Sequence, residues 1–334
     1  MAEVLWLSGE DVERTGVCNI GETVKIVEQV FCLFDAGQAS IVEESALRLT
    51  DSGLDQACYC LPAFVGGEID VRGLKWSVHG HAREPEMETR SRIQATVVIN
   101  GGDSGVPLAL MNGTEIGAAR TGAVTAAALS RLAPLDTCKV ALCGAGGQAE
   151  HQLQAVLWAL PQVQEIAVWS RRNVRNHELV QRYQERSSGR LRAVPSLEKA
   201  VEGADVVIAA TSAPEPYLRL EHLRDVALYC HIGFNEITKA AVDCFDTIVV
   251  DTWEEAKAVS GQSLFRLWRQ GALDVSRIGG TLGELISGRQ AISRGSRENK
   301  VMFDAFGLPI FDLSVAKVAY LRAKGQGLGT VLSW

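Results

Sequence analysis

The chain has 334 residues, of which 47% are apolar, and 33 Lys and Arg stand against 40 Asp and Glu for a net charge of −7. That length and apolar content support two domains with sizeable cores and exclude a fibre or a disordered tail. An acidic balance with no basic stripe excludes a general nucleic-acid surface. The lack of a run of about 18 apolar residues, with Glu3, Glu10 and Asp11 near the start, argues against export or membrane insertion, so a cytoplasmic setting and a small-molecule partner are expected.

In chain order, residues 20–37 space their apolar positions by three and four and stop at Gly37, which predicts an amphipathic helix. Strand-like runs at 45–50, 57–64, 71–78, 93–100 and 107–111 follow without helices between them, which predicts an antiparallel or mixed sheet. Residues 113–132 read as an Ala-rich helix with Arg120 near its start and Pro134 after its end. From Lys139 onward, strand candidates at 139–143, 165–169, 204–210, 226–232 and 246–251 alternate with helical stretches, the mark of a parallel, doubly wound sheet. Phe311 to Trp334 reads as a helix-like run that leads into closely spaced glycines. The fold class expected is α/β, a Rossmann doubly wound parallel sheet joined to a second, α+β domain.

The most informative stretch is the strand 139–143 running into Gly144-x-Gly146-x-x-Ala149, with Ala145, Gly147 and Gln148 completing the turn. Gly144 allows the sharp turn, Gly146 removes a side chain that would block a pyrophosphate, and Ala149 lets the following helix pack closely with its N-terminus toward the anion. The spacing and context predict a bound dinucleotide. The next strand ends in Ser170-Arg171-Arg172 where an NAD site usually has a carboxylate, so NADP(H) is favoured, with NAD(H) as the alternative. Thr211 and Ser212, at the end of the strand 204–210, are further candidate cofactor contacts.

Eight cysteines show neither Cys-x-x-Cys nor zinc-type His spacing, so no metal site is expected. Cys58 with Cys60, and His79 with His81, share strand faces, the arrangement a metal or redox role would use, but no third ligand stands nearby in sequence.

Several motifs in order resemble the ornithine cyclodeaminase/mu-crystallin family over nearly the whole chain. They are Arg48, Leu61-Pro62-Ala63, Gly73-Leu74-Lys75, Thr96, Gly105-Val106-Pro107 through Gly113-Thr114, Ala119-Arg120-Thr121-Gly122-Ala123, the Gly144 turn, Gly283-Glu284-Leu285 and Phe306-Gly307-Leu308-Pro309-Ile310-Phe311-Asp312. The resemblance implies a homodimer. It also implies a substrate-binding and dimerisation domain from residues 1–118 and 312–334, and a dinucleotide-binding domain from 119–311. It assigns Arg48, Lys75 and Arg120 to the carboxylate of an imino or amino acid, a role that guanidinium and ammonium groups suit. Thr96, Arg120, Thr121, Gly233 and Phe234 become cofactor contacts on the same ground. Lys75 is the expected proton donor.

Cyclodeaminases of the family carry an aspartate in the loop near residue 233, where this chain reads Gly233-Phe234-Asn235-Glu236. An amide cannot take a proton as a carboxylate does, so Asn235, or Glu236 in its stead, would sit near the amine and cyclodeamination is disfavoured. The activity this implies is NAD(P)H-dependent reduction of an imino acid such as a pyrroline- or piperideine-carboxylate. The alternatives are an ornithine cyclodeaminase with internally recycled NAD, an opine-like enzyme joining an amino acid to a keto acid (the N-(carboxyethyl)amino-acid dehydrogenase branch), and a mu-crystallin-like binder of NADPH and a small ligand. Phe64, Val78, His79, Met87 and Phe234 are candidate pocket residues.

Overall fold

The structure is a computed structural model and describes residues 3–42, 45–48, 56–80, 93–102 and 105–334. The chain divides into two compact units, one of residues 1–123 and 308–334 and one of residues 124–307.

In the first unit the strands β1 (Glu3–Leu7), β2 (Ala39–Ile41), β3 (Ser45–Arg48), β4 (Gln56–Val65), β5 (Val71–Gly80), β6 (Ile93–Asn100) and β7 (Pro107–Asn112) form one sheet with a C-terminal strand, Thr330–Ser333. Neighbours run antiparallel except β1 and β7, which are parallel. Alternation decides what each face does. On β5 and β6 the odd-numbered Val71, Lys75, Ser77, Ala95, Val97 and Ile99 are buried, whereas Trp76 is 42% exposed. The helix Pro309–Gln326 packs on β4, β5 and β6, and Phe311 meets Phe31 of the helix Ile20–Asp35 with ring centroids 4.6 Å apart. Proline at the helix start and left-handed Gly327 (φ 66°) at its end bound it.

In the second unit β8 (Lys139–Cys143), β9 (Glu165–Trp169), β10 (Leu191–Ala193), β11 (Val206–Ala209), β12 (Leu228–His231), β13 (Thr247–Val250), β14 (Ile278–Thr281) and β15 (Val301–Asp304) are all parallel. Their order is β10-β9-β8-β11-β12-β15-β13-β14, so the chain order reverses between β8 and β11, the switch point at which doubly wound sheets bind ligands. β8, β11, β12 and β15 are almost wholly buried, as expected for strands covered on both faces. The α/β class and the doubly wound sheet thus match the expectation from the sequence. The short strands β1, β2, β10, β14, β15 and the C-terminal strand, which here becomes β16 (Thr330–Ser333), were not foreseen. Their runs of three to five residues are too short for alternation to stand out.

Candidate active site

In the second unit the dinucleotide turn sits at the C-terminal edge of the sheet. Gly144 has φ 124°, and a Cβ there would lie 2.5 Å from the Ala210 carbonyl oxygen, so only glycine fits. Gly146 is the N-cap of the helix Gly147–Ala159 and offers no side chain to its first turn; a Cβ at Gly146 would meet open space. First-turn amides without a side-chain cap, beside an open glycine, fit a pyrophosphate. Ala149 is fully buried, as close packing of helix on strand requires, whereas Ala145 and Gln148 are half-buried and Gly147 is exposed.

Beyond β9, Arg171 and Arg172 are exposed. The Ser170 hydroxyl lies 2.6 Å from Asn176 Oδ1 and 3.1 Å from the Arg172 carbonyl oxygen, which ties it to the turn after β9. At the ends of β11 and β12, Glu236 gathers the loops. Its Oε1 accepts from the Thr211 amide at 2.6 Å and the Thr211 hydroxyl at 2.5 Å, and its Oε2 accepts from the Gly233 amide at 3.1 Å. Ser212 and Phe234 are exposed beside them.

Glu236 was expected near the amine, ready to exchange a proton. Instead it is fully buried, with both oxygens engaged by backbone and hydroxyl donors, and it works as a tie between loops. Burial raises its pKa, against the pull of His231 and of these hydrogen bonds. His231 Nε2 lies 3.6 Å from Glu236 Oε2, and His231 Nδ1 lies 2.6 Å from Asp304 Oδ2. Burial alone would lower the pKa of His231, but the Asp304 charge and hydrogen bond and the Glu236 charge outweigh it and the net shift is upward. Asn235 is likewise engaged: its amide donates to the Pro214 carbonyl at 2.7 Å and its oxygen accepts from Ser263 at 3.3 Å.

The first unit holds a buried charge cluster. Lys75 Nζ donates to Asp312 Oδ1 at 2.9 Å, and Arg120 Nε lies 3.1 Å from Asp312 Oδ2. The second contact is an ion pair without a formed hydrogen bond. Asp312 is 0% exposed and Lys75 5%. Burial and the Arg120 charge lower the pKa of Lys75, while Asp312 opposes them. Burial would raise the pKa of Asp312, but Arg120 and Lys75 together bring it below the usual carboxylate value. Space for the cluster comes from Gly117, one helical turn before Arg120, where a Cβ would stand 3.1 Å from Lys75 Nζ. His79, on the same strand face, is lowered to about 4 by burial and by the Lys75 and Arg120 charges, so it is neutral near pH 7. Its Nε2 lies 3.3 Å from Ser77 Oγ.

Thr96 pairs with Trp76, which sets it on the opposite sheet face from Lys75; Phe64, Val78, Cys58 and Cys60 share that outer face. The Thr121 hydroxyl donates within its helix to the Gly117 carbonyl at 2.8 Å. Arg48 pairs with Ala57, which in turn pairs with His79, but the Arg48 side chain, with His81 and Met87, lies outside the described residues. Among the described residues no group of three or more His, Cys, Asp or Glu is arranged to hold a metal, and no helix is long and apolar enough to cross a membrane. Asp312 is the site residue that sequence reading missed. Its signal is a lone acid in the otherwise apolar start of a helix, Pro309-Ile310-Phe311-Asp312-Leu313.

Known proteins resemble this chain in sequence and in structure. The chain is 25% identical over 274 residues to the N-((2S)-2-amino-2-carboxyethyl)-L-glutamate dehydrogenase of Staphylococcus aureus, covering 82% of this chain and 81% of the relative. It superposes with a TM-score of 0.88 and 26% identity on Thermococcus litoralis Delta(1)-pyrroline-2-carboxylate reductase in complex with NADH and L-proline, over 98% of this chain and 99% of that one. An archaeal alanine dehydrogenase dimer with bound NAD gives a TM-score of 0.87 at 26% identity over the full length of both chains. The model of the ornithine cyclodeaminase/mu-crystallin family matches residues 4–327, and the chain belongs to that family.

Proposed function

We propose that this chain is an NAD(P)-dependent oxidoreductase acting on the carbon–nitrogen bond of an imino or amino acid. Its favoured substrates are cyclic ketimines of the pyrroline- or piperideine-carboxylate kind, and its favoured cofactor is NADPH. The observation that carries this reading is the buried pairing of Lys75 and Arg120 around Asp312, in a chain whose other unit holds a dinucleotide turn. Two cations and one carboxylate leave a net positive site for a substrate carboxylate, which the planar Arg120 guanidinium suits. Reduction adds hydride to the imine carbon and a proton to its nitrogen; the nicotinamide, when bound, supplies the hydride. Lys75 supplies the proton, and burial and Arg120 make its ammonium a better donor than an exposed lysine. Arg48 is read as a further carboxylate contact. Related reductases and dehydrogenases of imino and amino acids support the oxidoreductase reading.

The cofactor preference rests on Ser170-Arg171-Arg172, where no carboxylate follows β9 to repel a 2′-phosphate. We read residues 1–118 and 312–334 as the substrate and dimerisation domain and 119–311 as the dinucleotide domain. The outer sheet face of the first unit exposes Trp6 (38%), Phe64 (36%) and Trp76 (42%), with Leu74, Val98 and Leu110 between them in register. A contiguous apolar sheet face of this kind suits a homodimer, and the similar archaeal alanine dehydrogenase is a dimer.

The test is oxidation of NADPH and NADH across cyclic imino acids and amine plus keto-acid pairs. Imino-acid turnover that is faster with NADPH is expected. Oxidation only with both an amine and a keto acid would replace the reading with a condensing enzyme, and ammonia release from ornithine without net cofactor oxidation would replace it with a cyclodeaminase. Trp76→Glu should convert a dimer to monomers in analytical ultracentrifugation, and a monomeric wild type would remove the dimer.

A further inference from the structure

We infer that Asp312 is a positioning residue for the reaction, fixing Lys75 and Arg120 relative to one another and holding Lys75 as an ammonium until it gives its proton to the imine nitrogen. The inference rests on the reading of Lys75 as proton donor, and its grounds are geometric. Asp312 is 0% exposed and bridges a strand residue and a helix residue, Lys75 on β5 and Arg120 on the helix Thr114–Leu132, through separate oxygens at 2.9 and 3.1 Å. The helix that carries it packs on β4, β5 and β6, and its first turn is apolar apart from this acid. A buried carboxylate between two cations is costly to desolvate, and one whose pairing served stability alone could be replaced by apolar side chains at little loss. Here the two cations are the groups read as holding and protonating the substrate, which gives the carboxylate a task that packing cannot perform.

The charge balance sharpens this. The titratable and charged groups of the cluster among the described residues are Lys75 and His79 on β5, Arg120 on its helix and Asp312 on its own. His79 is neutral near pH 7, and Arg120 disfavours the ammonium form of Lys75, so Asp312 is the group of this cluster that favours that form. In the step itself one N–H bond of the Lys75 ammonium breaks and one N–H bond forms on the substrate nitrogen. That leaves a neutral amine hydrogen-bonded to Asp312, which takes its next proton from solvent.

The experiment uses the whole chain as Asp312→Asn and Asp312→Glu, with folding checked by thermal melts. Two readings are taken: the pH profile of kcat for imino-acid reduction, and the titration of the Lys75 side chain by lysine-labelled NMR, assigned with Lys75→Arg. In Asp312→Asn the Lys75 titration and the basic limb of kcat should both move to lower pH, with kcat down about 100-fold and the KM for the cofactor unchanged. Asp312→Glu keeps the charge but displaces it by one methylene, so Lys75 should titrate as in the wild type while kcat falls about tenfold. A folded Asp312→Asn with unchanged Lys75 titration and unchanged kcat profile overturns the inference. Should Asp312→Asn not fold, wild-type kcat and KM in Asp312→Glu overturn it instead. Failure of the wild type to reduce any imino acid would remove the functional reading, whereas the Lys75 titration needs no substrate and still judges the Asp312 charge.

Discussion

At the scale of single residues, the cluster around Lys75 depends on a missing side chain. Gly117 lies in the first turn of the helix Thr114–Leu132, where alanine would ordinarily stabilise by about 1 kcal/mol. A methyl group there would stand 3.1 Å from Lys75 Nζ and 3.4 Å from Asp312 Oδ1, tight enough to push the ammonium aside by a few tenths of an ångström. The two effects act on different observables. Gly117→Ala should therefore leave the melting temperature unchanged or slightly raised while turnover of an imino acid falls about tenfold; retained turnover would show that the ammonium has slack. Lys75 and Arg120 were legible in the sequence because each sits in a recognisable local motif. Asp312 also closes such a motif, Phe306–Asp312, but its pairing was not legible, because its partners are 237 and 192 residues away in sequence. Glu236 was legible as a carboxylate at the right loop but not as a tie, since that depends on where the Thr211 and Gly233 amides point.

At the scale of elements, the loops after β11 and β12 are joined by one carboxylate. A Cβ at Gly233 would fall 2.4 Å from the Thr211 carbonyl oxygen and 2.5 Å from the Glu236 carboxyl carbon, so the two loops are in direct packing contact. Glutamine at 236 keeps one acceptor for Thr211 but turns an NH2 group toward the Gly233 amide, leaving a buried donor unsatisfied. Glu236→Gln should cost about 1–3 kcal/mol in urea unfolding and weaken NADPH binding. A variant of wild-type stability and affinity would mean that the tie is dispensable. The long alternating strands β4, β5 and β6 and the buried runs of β8, β9, β11, β12 and β13 could be read from hydrophobic pattern alone. β14 (Ile-Gly-Gly-Thr) could not: its glycines have no side chain to mark a face, and its place beside β13 comes from tertiary pairing.

At the scale of the whole molecule, the buried ionisable groups of the two units pull stability in opposite directions with pH. In the first unit the folded pKa values of Asp312, His79 and Lys75 are all depressed. The contribution of Asp312 is present above its unfolded value of 3.8 and lost as pH falls. His79, lowered from 6.5 to about 4, is fully accommodated above 6.5, and stability drains away as pH drops between those values. The burial penalty of the Lys75 ammonium is relieved as pH rises toward 10.5. Each unfolded group binds protons more tightly than its folded counterpart, so this unit gains stability as pH rises. In the second unit Asp251, Glu236 and His231 are all raised. Asp251, pushed by burial from 3.8 to about 7 although it accepts from the Phe306 and Gly307 amides at 3.0 and 2.7 Å, costs stability increasingly as pH climbs through that interval. The contribution of His231 is complete below 6.5 and is lost as pH passes its raised folded value; Glu236 adds the same sign from 4.5 upward. Exposed ion pairs such as Lys199–Glu202, with side chains 62% and 68% exposed, are screened by solvent and contribute little. Pulse proteolysis in urea with peptide mapping should therefore find that cleavage within residues 1–123 and 308–334 slows, and cleavage within residues 124–307 quickens, as pH rises from about 5 to about 8.5. Cleavage of both units that shifts in the same direction with pH would mean that these buried charges do not govern their stability.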